Sequence, residues 1–316
     1  MMRLFTTSSK VFWSLSISIL VFSVSADASI GNASLRNISS FDLFPGQLHT
    51  EHATTQQTEF PEEVLGWNLS VQTYTFKHYS LVEAISMARS AGLKTIEVFA
   101  DHELGGGLPG VFGVEMGEEQ KQSIRKLLRD SGIRIVALGV VNAGSESGWR
   151  QLFEFAHEWG VYVINVEPAT DFLPLIGRLA NQFKIQVAIH NHPKPSRYWD
   201  PSVVLQSIEK ADSPLVGACA DIGHWIRSGL DPIKALQDLE GHVFSLHFKD
   251  LKERSRDAHD VHWGTGVANL EGLIRELKRQ NFRGNISAEY EYNWENNVVD
   301  VRQSVQNFRA VLNKLL

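Results

Sequence analysis

From Trp67 onward the chain repeats one pattern: a short run of apolar or β-branched residues, then a stretch with apolar positions every three to four residues, then a turn signal. Eight runs read as strands. They are residues 68–76 (NLSVQTYTF), 95–100 (TIEVFA), 133–140 (IRIVALGV) and 161–167 (VYVINVE), then 185–191 (IQVAIHN), 215–221 (LVGACAD), 243–248 (VFSLHF) and 285–291 (NISAEYE). The segments between them carry helical spacing. In SLVEAISMARSAG, Leu81, Val82, Ala84, Ile85 and Ala88 fall on one face and Gly92 marks the stop. The last stretch, VVDVRQSVQNFRAVLNKLL, reads as a closing amphipathic helix. Strands alternating with helices imply βαβ units and a parallel sheet, and eight such units in about 250 residues imply a closed (β/α)8 barrel. A doubly wound open sheet is the alternative, but no G-x-G-x-x-G turn follows the first strand. The Gly105-Gly106-Gly107 run after the second strand is expected in a loop over the barrel mouth.

The first 66 residues lack this pattern. Arg3 and Lys10 precede an apolar stretch, VFWSLSISILVFS, and SVSADA then offers small residues near Ala26 and Ala28. Residues 1–26 therefore read as a signal peptide, too short for a comfortable membrane span, with a retained anchor as the other reading. Residues 27–66 are rich in polar side chains and read as a linker or flexible arm before the barrel domain of residues 67–316. Export to the periplasm or outside is the expectation; the protein stays membrane-anchored if the signal is uncleaved. Cys219 is the only cysteine, which rules out an internal disulfide. Asn32, Asn37, Asn68 and Asn285 each open an N-x-Ser triplet, a signal with meaning only in a eukaryotic secretory route. The net charge of −6, with no basic cluster, argues against a nucleic-acid partner.

A parallel barrel carries its active site at the C-terminal ends of its strands, so the polar residues that end each run are the informative ones. Strand four ends at Glu167 and strand six at Asp221, strand seven carries His247, and strand eight carries Glu289. Converging on the axis, three carboxylates and an imidazole repel one another unless a cation neutralises them. Hard oxygens with one nitrogen suit Mn2+, Mg2+ or Co2+, with Zn2+ also compatible. Glu97 on strand two reads as a supporting residue. His190 and His192 share strand parity, so both can face the mouth, as substrate contacts or proton relays. Lys249 shares parity with His247 and is a candidate for holding a developing oxyanion, or for a salt bridge. His262, in the DVHWGTG loop, can enter the site from above. Trp225 and Trp263 read as walls of a sugar-sized pocket, with core packing as the other reading.

The order of these features resembles the xylose isomerase-like TIM barrel superfamily, often called sugar phosphate isomerase/epimerase proteins. The resemblance spans Trp67 to Leu316. It rests on the opening Gln72-Thr-Tyr74-Thr-Phe76 run, AGLKTIEVF, the VEP of strand four, DIGHW after strand six and HFKD at strand seven, followed by HWGTGVANLEGLIRELKRQNFRGNISAEYE. It implies that Glu167, Asp221, His247 and Glu289 bind a divalent metal ion, and it picks Glu289 over Glu291 by register. It also implies that Glu167 and Glu289 form the acid/base pair that exchanges a proton beside a carbonyl, and that His224 contacts a substrate oxygen. The chain departs from the epimerase pattern where PATDFLP follows strand four and where Lys249-Asp250 replaces an arginine after strand seven.

The expected function is a metal-dependent isomerase or epimerase of a non-phosphorylated keto-sugar or polyol, since sugar phosphates are cytoplasmic and the chain reads as exported. A lyase that cleaves oxidised (3-keto) glycosides would use the same metal and base. A non-catalytic sugar-binding module is a third reading. A DNA-repair endonuclease, which shares the barrel, is disfavoured by the acidic charge. The expected partner is a small carbohydrate, with no nucleic acid and no membrane partner beyond export; a homo-oligomer is compatible with the sequence.

Overall fold

The computed structural model describes residues 58–316. The expected signal peptide, residues 27–57 of the arm, and the triplets at Asn32 and Asn37 lie outside the described residues. Eight parallel strands close into one barrel: β1 (Asn68–Gln72), β2 (Thr95–Val98), β3 (Arg134–Val141), β4 (Val163–Val166), β5 (Gln186–His190), β6 (Val216–Asp221), β7 (Val243–Phe248) and β8 (Asn285–Ala288). The ring closes where Asn68 pairs with Asn285 and Val71 with Ala288. All eight expected strands are present, several shorter than their apolar runs. The first stops at Gln72 because its side chain accepts the Tyr74 N–H and turns Thr73–Phe76 into a 3-10 helix.

The helices begin where the sequence supplies caps. Ser80 and Glu83 form a reciprocal capping box on Leu81–Ser90, while Asp200 and Asp231 cap helices whose first residue is proline. The closing helix, Val298–Leu315, packs Val301, Val305, Phe308 and Leu312 into the layer between helices and sheet. Pro61–Val64, placed in the arm by its composition, is a helical turn bound to the barrel. There Glu62, nearly buried, pairs with Arg309 at 2.6 Å, and Trp67 Nε1 donates to the Phe282 carbonyl at 2.8 Å. The folded unit therefore starts several residues before Trp67.

The triple-glycine run lies beside the mouth. It turns a hairpin, Glu103–Gly105 with Leu108–Val111, that packs on Ser80 and Val82 at the start of a helix. A side chain at Gly105 would meet the Ser80 Cβ at 2.2 Å, and its φ of +71° already favours glycine. The Asn285 triplet is buried inside the barrel, where no glycosyl group could reach it.

Strand parity sets the barrel interior. Val163, Ala188 and Cys219 fill it with small apolar groups, and Ser70, Thr95, Asn165, Ser245, Asn285 and Ser287 add a polar layer. At the C-terminal end the inward positions become ionisable. That gradient places the site.

Candidate active site

Glu97, fully buried on β2, anchors the floor of the site. Its Oε1 takes the Asn165 amide at 2.7 Å and lies 2.8 Å from His247 Nε2; its Oε2 accepts from Ser287 at 2.6 Å and Asn285 at 3.3 Å. Gly139 on β3 leaves room for this arrangement, because a Cβ there would sit 2.6 Å from Glu97 Oε1. With Nε2 engaged below, His247 points Nδ1 upward, 2.9 Å from Glu289 Oε2. Burial opposes a charge on His247, but the neighbouring Cys219, Glu97 and Glu289 outweigh it and raise its pKa well above its ordinary value.

Four buried side chains meet above this floor: His190 at the end of β5, Asp221 at the end of β6, His247 on β7 and Glu289 just beyond β8. One ligand atom from each lies within 4.8 Å of the others. Asp221 Oδ1 is committed to the N–H of His224, capping the short helix Ile222–Arg227, which leaves Oδ2 for the centre. Asn191 grips the Asp221 backbone from both sides, accepting its N–H at 2.8 Å and donating to its carbonyl at 3.0 Å. Among the described residues, both nitrogens of His190, Asp221 Oδ2, His247 Nδ1 and Glu289 Oε2 are buried without a hydrogen-bond partner. Such atoms are costly to bury unless something binds them.

Lys249 enters from the side. Its ammonium, fully buried, lies 3.0 Å from Asp221 Oδ2, 2.9 Å from Glu289 Oε2, 2.9 Å from Glu291 Oε2 and 3.3 Å from His224 Nε2. Burial alone would raise Asp221 and Glu289. The neighbouring His224 ring and the Lys249 ammonium for Asp221, and Lys249 and His247 for Glu289, hold both carboxyls well below their ordinary values. Lys249 is in turn held well above its own by those carboxylates, against the effect of burial. Gly223 makes the path for this lysine, since a Cβ there would come within 2.6 Å of Lys249 Cβ. Arg227 joins Glu291 and Asp260, each at 2.8 Å, behind the lysine. Both ring nitrogens of His224 face a cation, Lys249 at 3.3 Å and Arg227 at 3.3 Å. A neutral imidazole accepts only one such bond, and burial lowers its pKa well below the usual value.

Glu167 stands at the same level as His190 but in an adjoining group. Its Oε1 accepts the His192 N–H at 3.1 Å and the Ser196 hydroxyl at 3.2 Å, lies 2.9 Å from His192 Nδ1, and is 4.0 Å from His190 Nδ1. The strand-five contribution to the four-membered cluster is thus His190, where the sequence pattern put Glu167. The reason is local. One residue past the paired Val166–Ile189, the Glu167 N–H binds Asn142, and its carboxylate is drawn to the loop after β5. Burial raises the Glu167 pKa, but the bond to His192 outweighs it and the net shift is downward; the same bond raises His192 despite its burial.

His192 is half-exposed at the mouth, with His224 and His190 beside its ring. His262 is outside the cluster, with Nε2 2.7 Å from Asp300 on the closing helix. Trp225 and Trp263 are 1% exposed and belong to the hydrophobic core, Trp263 against Phe248 and Phe308; neither walls a pocket. The partly exposed rings on this face are others: Tyr74, Phe99 and Trp294 on the loops after β1, β2 and β8, with His259 stacked on Tyr292. Sequence reasoning missed these because loop aromatics carry no period. It also missed Arg227 and Asp260, which reach the site from beyond the strand ends, although Glu291 was visible by its parity with Glu289.

A profile described as the xylose isomerase-like TIM barrel matches residues 85–311. An uncharacterised protein from Parabacteroides distasonis is 34% identical, with a TM-score of 0.64 over 79% of this chain and 100% of its own. A probable 3-DHS dehydratase from Bacillus anthracis is similar in fold at 16% identity and TM-score 0.60, covering 76% of this chain and 97% of its own. A D-psicose 3-epimerase solved in the presence of D-fructose is similar at 13% identity and TM-score 0.62, covering 78% and 99%. No curated protein matches the chain.

Proposed function

This chain belongs to the xylose isomerase-like TIM barrel family, and on that premise we propose that it is a divalent-metal-dependent enzyme moving a proton next to the carbonyl of a non-phosphorylated keto-sugar or polyol. The observation that carries the proposal is the convergence of buried nitrogen and oxygen atoms from His190, Asp221, His247 and Glu289 that make no aligned hydrogen bond and have only ion-pair contacts with one another and with Lys249. Their spacing fits one ion. Bonds of about 2.0–2.3 Å put neighbouring ligand atoms roughly 3 Å apart and opposite ones a little over 4 Å. The contacts are 2.9 Å (His247 Nδ1 to Glu289), 3.4 Å (His190 Nε2 to Asp221) and 4.0 Å (His247 Nδ1 to Asp221). A divalent ion held there would supply Lewis-acid polarisation of a substrate carbonyl.

The remaining steps belong to side chains. Glu289 lies at the centre, and the Glu167–His192 pair stands beside it at the mouth, so a proton can be taken at one carbon face and returned at the other. Lys249, fixed by three carboxylates, presents an ammonium where an oxygen of the substrate gains charge. His224, between Lys249 and Arg227, holds the lysine in place rather than meeting the substrate directly. Tyr74, Trp294 and Tyr292 give flat faces to the C–H side of a sugar. The same groups support a lyase reading on oxidised (3-keto) glycosides. There the proton beside the carbonyl is removed and His192, whose pKa the bond to Glu167 raises, gives a proton to the departing glycosidic oxygen. An exported setting, read from residues 1–26, is part of the proposal and agrees with an unphosphorylated substrate.

The test is solvent-deuterium exchange into free and 3-keto sugars by the metal-loaded protein, followed by NMR. Wild type should introduce deuterium beside the carbonyl and Glu289→Gln should not. Sugar binding that survives Glu289→Gln, with no exchange by either protein, would identify a binding module instead.

A further inference from the structure

We propose that His190 is a metal ligand that turns the centre from an oxygen-rich site into a two-imidazole, two-carboxylate site. Its consequence is selection of Zn2+ or Co2+ over Mg2+ and Mn2+. The inference rests on the metal reading above and deepens it. His190 is 1% exposed, and among the described residues neither of its ring nitrogens makes a hydrogen bond. A core histidine ordinarily satisfies both nitrogens, and a substrate contact needs access, which a ring 1% exposed with His192 packed 4.6 Å from it lacks. Its Nε2 faces the centre, 3.4 Å from Asp221 Oδ2 with the His247 ring at 4.7 Å, while its Nδ1 lies 4.0 Å from Glu167 Oε1.

The donor set follows. His190 and His247 give two imidazole nitrogens, and Asp221 and Glu289 give two carboxylate oxygens. Glu167, the third carboxylate that the strand-end pattern assigned to the centre, is bound to His192 and Ser196. Exchanging a carboxylate for an imidazole removes one negative charge and one hard donor. Mg2+ depends on charge and oxygen ligands, whereas Co2+ and Zn2+ gain from imidazole nitrogen. The Lys249 ammonium, 3.0 and 2.9 Å from the two remaining carboxylates, lowers their pull on hard cations further. Both effects act in one direction.

The experiment uses the full folded chain stripped of metal, titrated with Zn2+, Co2+, Mn2+ and Mg2+ in competition with a chromophoric chelator, beside His190→Glu. Wild type should take one Zn2+ or Co2+ and leave Mg2+ unbound, and His190→Glu should narrow the Zn2+ to Mn2+ preference by about ten- to a hundredfold, the scale on which changes around a metal centre act. Proton NMR of the Co2+-loaded wild type needs no variant. Two exchangeable, paramagnetically shifted imidazole N–H signals are expected, one from His190 and one from His247 held by Glu97. A single such signal, or an equal metal preference in wild type and His190→Glu, overturns the role of His190 and leaves the metal reading standing. Failure of wild type to bind any of the four ions overturns both.

Discussion

A fully buried carboxylate, Glu97, decides which nitrogen of His247 faces the centre. Four donors converge on it, and its bond to Nε2 leaves Nδ1 free. Replacing Glu97 with Gln keeps the volume and weakens that hold, so divalent-ion affinity should fall about 10- to 100-fold while the circular dichroism spectrum stays unchanged. Lys249→Met makes a prediction of mixed sign. Removing the ammonium should tighten divalent binding, because Asp221 and Glu289 lose a competing charge, while proton exchange on the keto-sugar falls by about 100-fold or more. Parallel loss of both would contradict a separate role for the lysine. Residue parity was legible in the sequence: Asp221, His247, Lys249 and Glu289 all face inward as alternation predicts. The choice between Glu167 and His190 was not, because both have inward parity at the same level. Only the side-chain bonds from His192 and Ser196 to Glu167 separate them.

Individual elements are short and depend on their neighbours. The helix Ile222–Arg227 is a turn and a half long, capped by Asp221 and pressed against Lys249 at Gly223. Gly223→Ala raises helix propensity but drives a methyl into Lys249 Cβ. It should therefore disturb the centre, with a loss of metal affinity larger than any loss of helix content, measured by titration and circular dichroism on one sample. In the helix Leu270–Arg279, bonds from Arg279 and Gln280 lower the Glu276 pKa to about 2. A depressed carboxyl adds stability above its unfolded pKa and loses it as pH falls through the folded value. The denaturant midpoint difference between wild type and Glu276→Gln should be constant above about pH 4.5 and shrink toward pH 2. A flat difference over that range would show that the bonds do not depend on charge. Elements were readable where periodicity and caps coincide, as in SLVEAISMARSAG. The turn Pro61–Val64 was hidden in polar composition, since its attachment comes from the distant Arg309.

At the scale of the molecule, the barrel joins eight strand ends that lie far apart in sequence, and its interior grades from small apolar groups to ionisable ones at one end. Eight βα repeats made this closure legible. Trp225 and Trp263 show the limit: an aromatic side chain next to a site motif is equally at home in the helix–sheet layer, and the structure puts both there. Because β5 to β8 each contribute one side chain to the cluster, an ion there ties four strands together. Removing it should lower the thermal midpoint, and re-adding it should restore the midpoint in a concentration-dependent way. The most direct test of the account is elemental analysis of the purified protein beside the His247→Ala variant. One divalent ion per chain in wild type and none in the variant is the predicted result. A metal-free wild type whose thermal midpoint is unmoved by Zn2+, Co2+, Mn2+ or Mg2+ would contradict it.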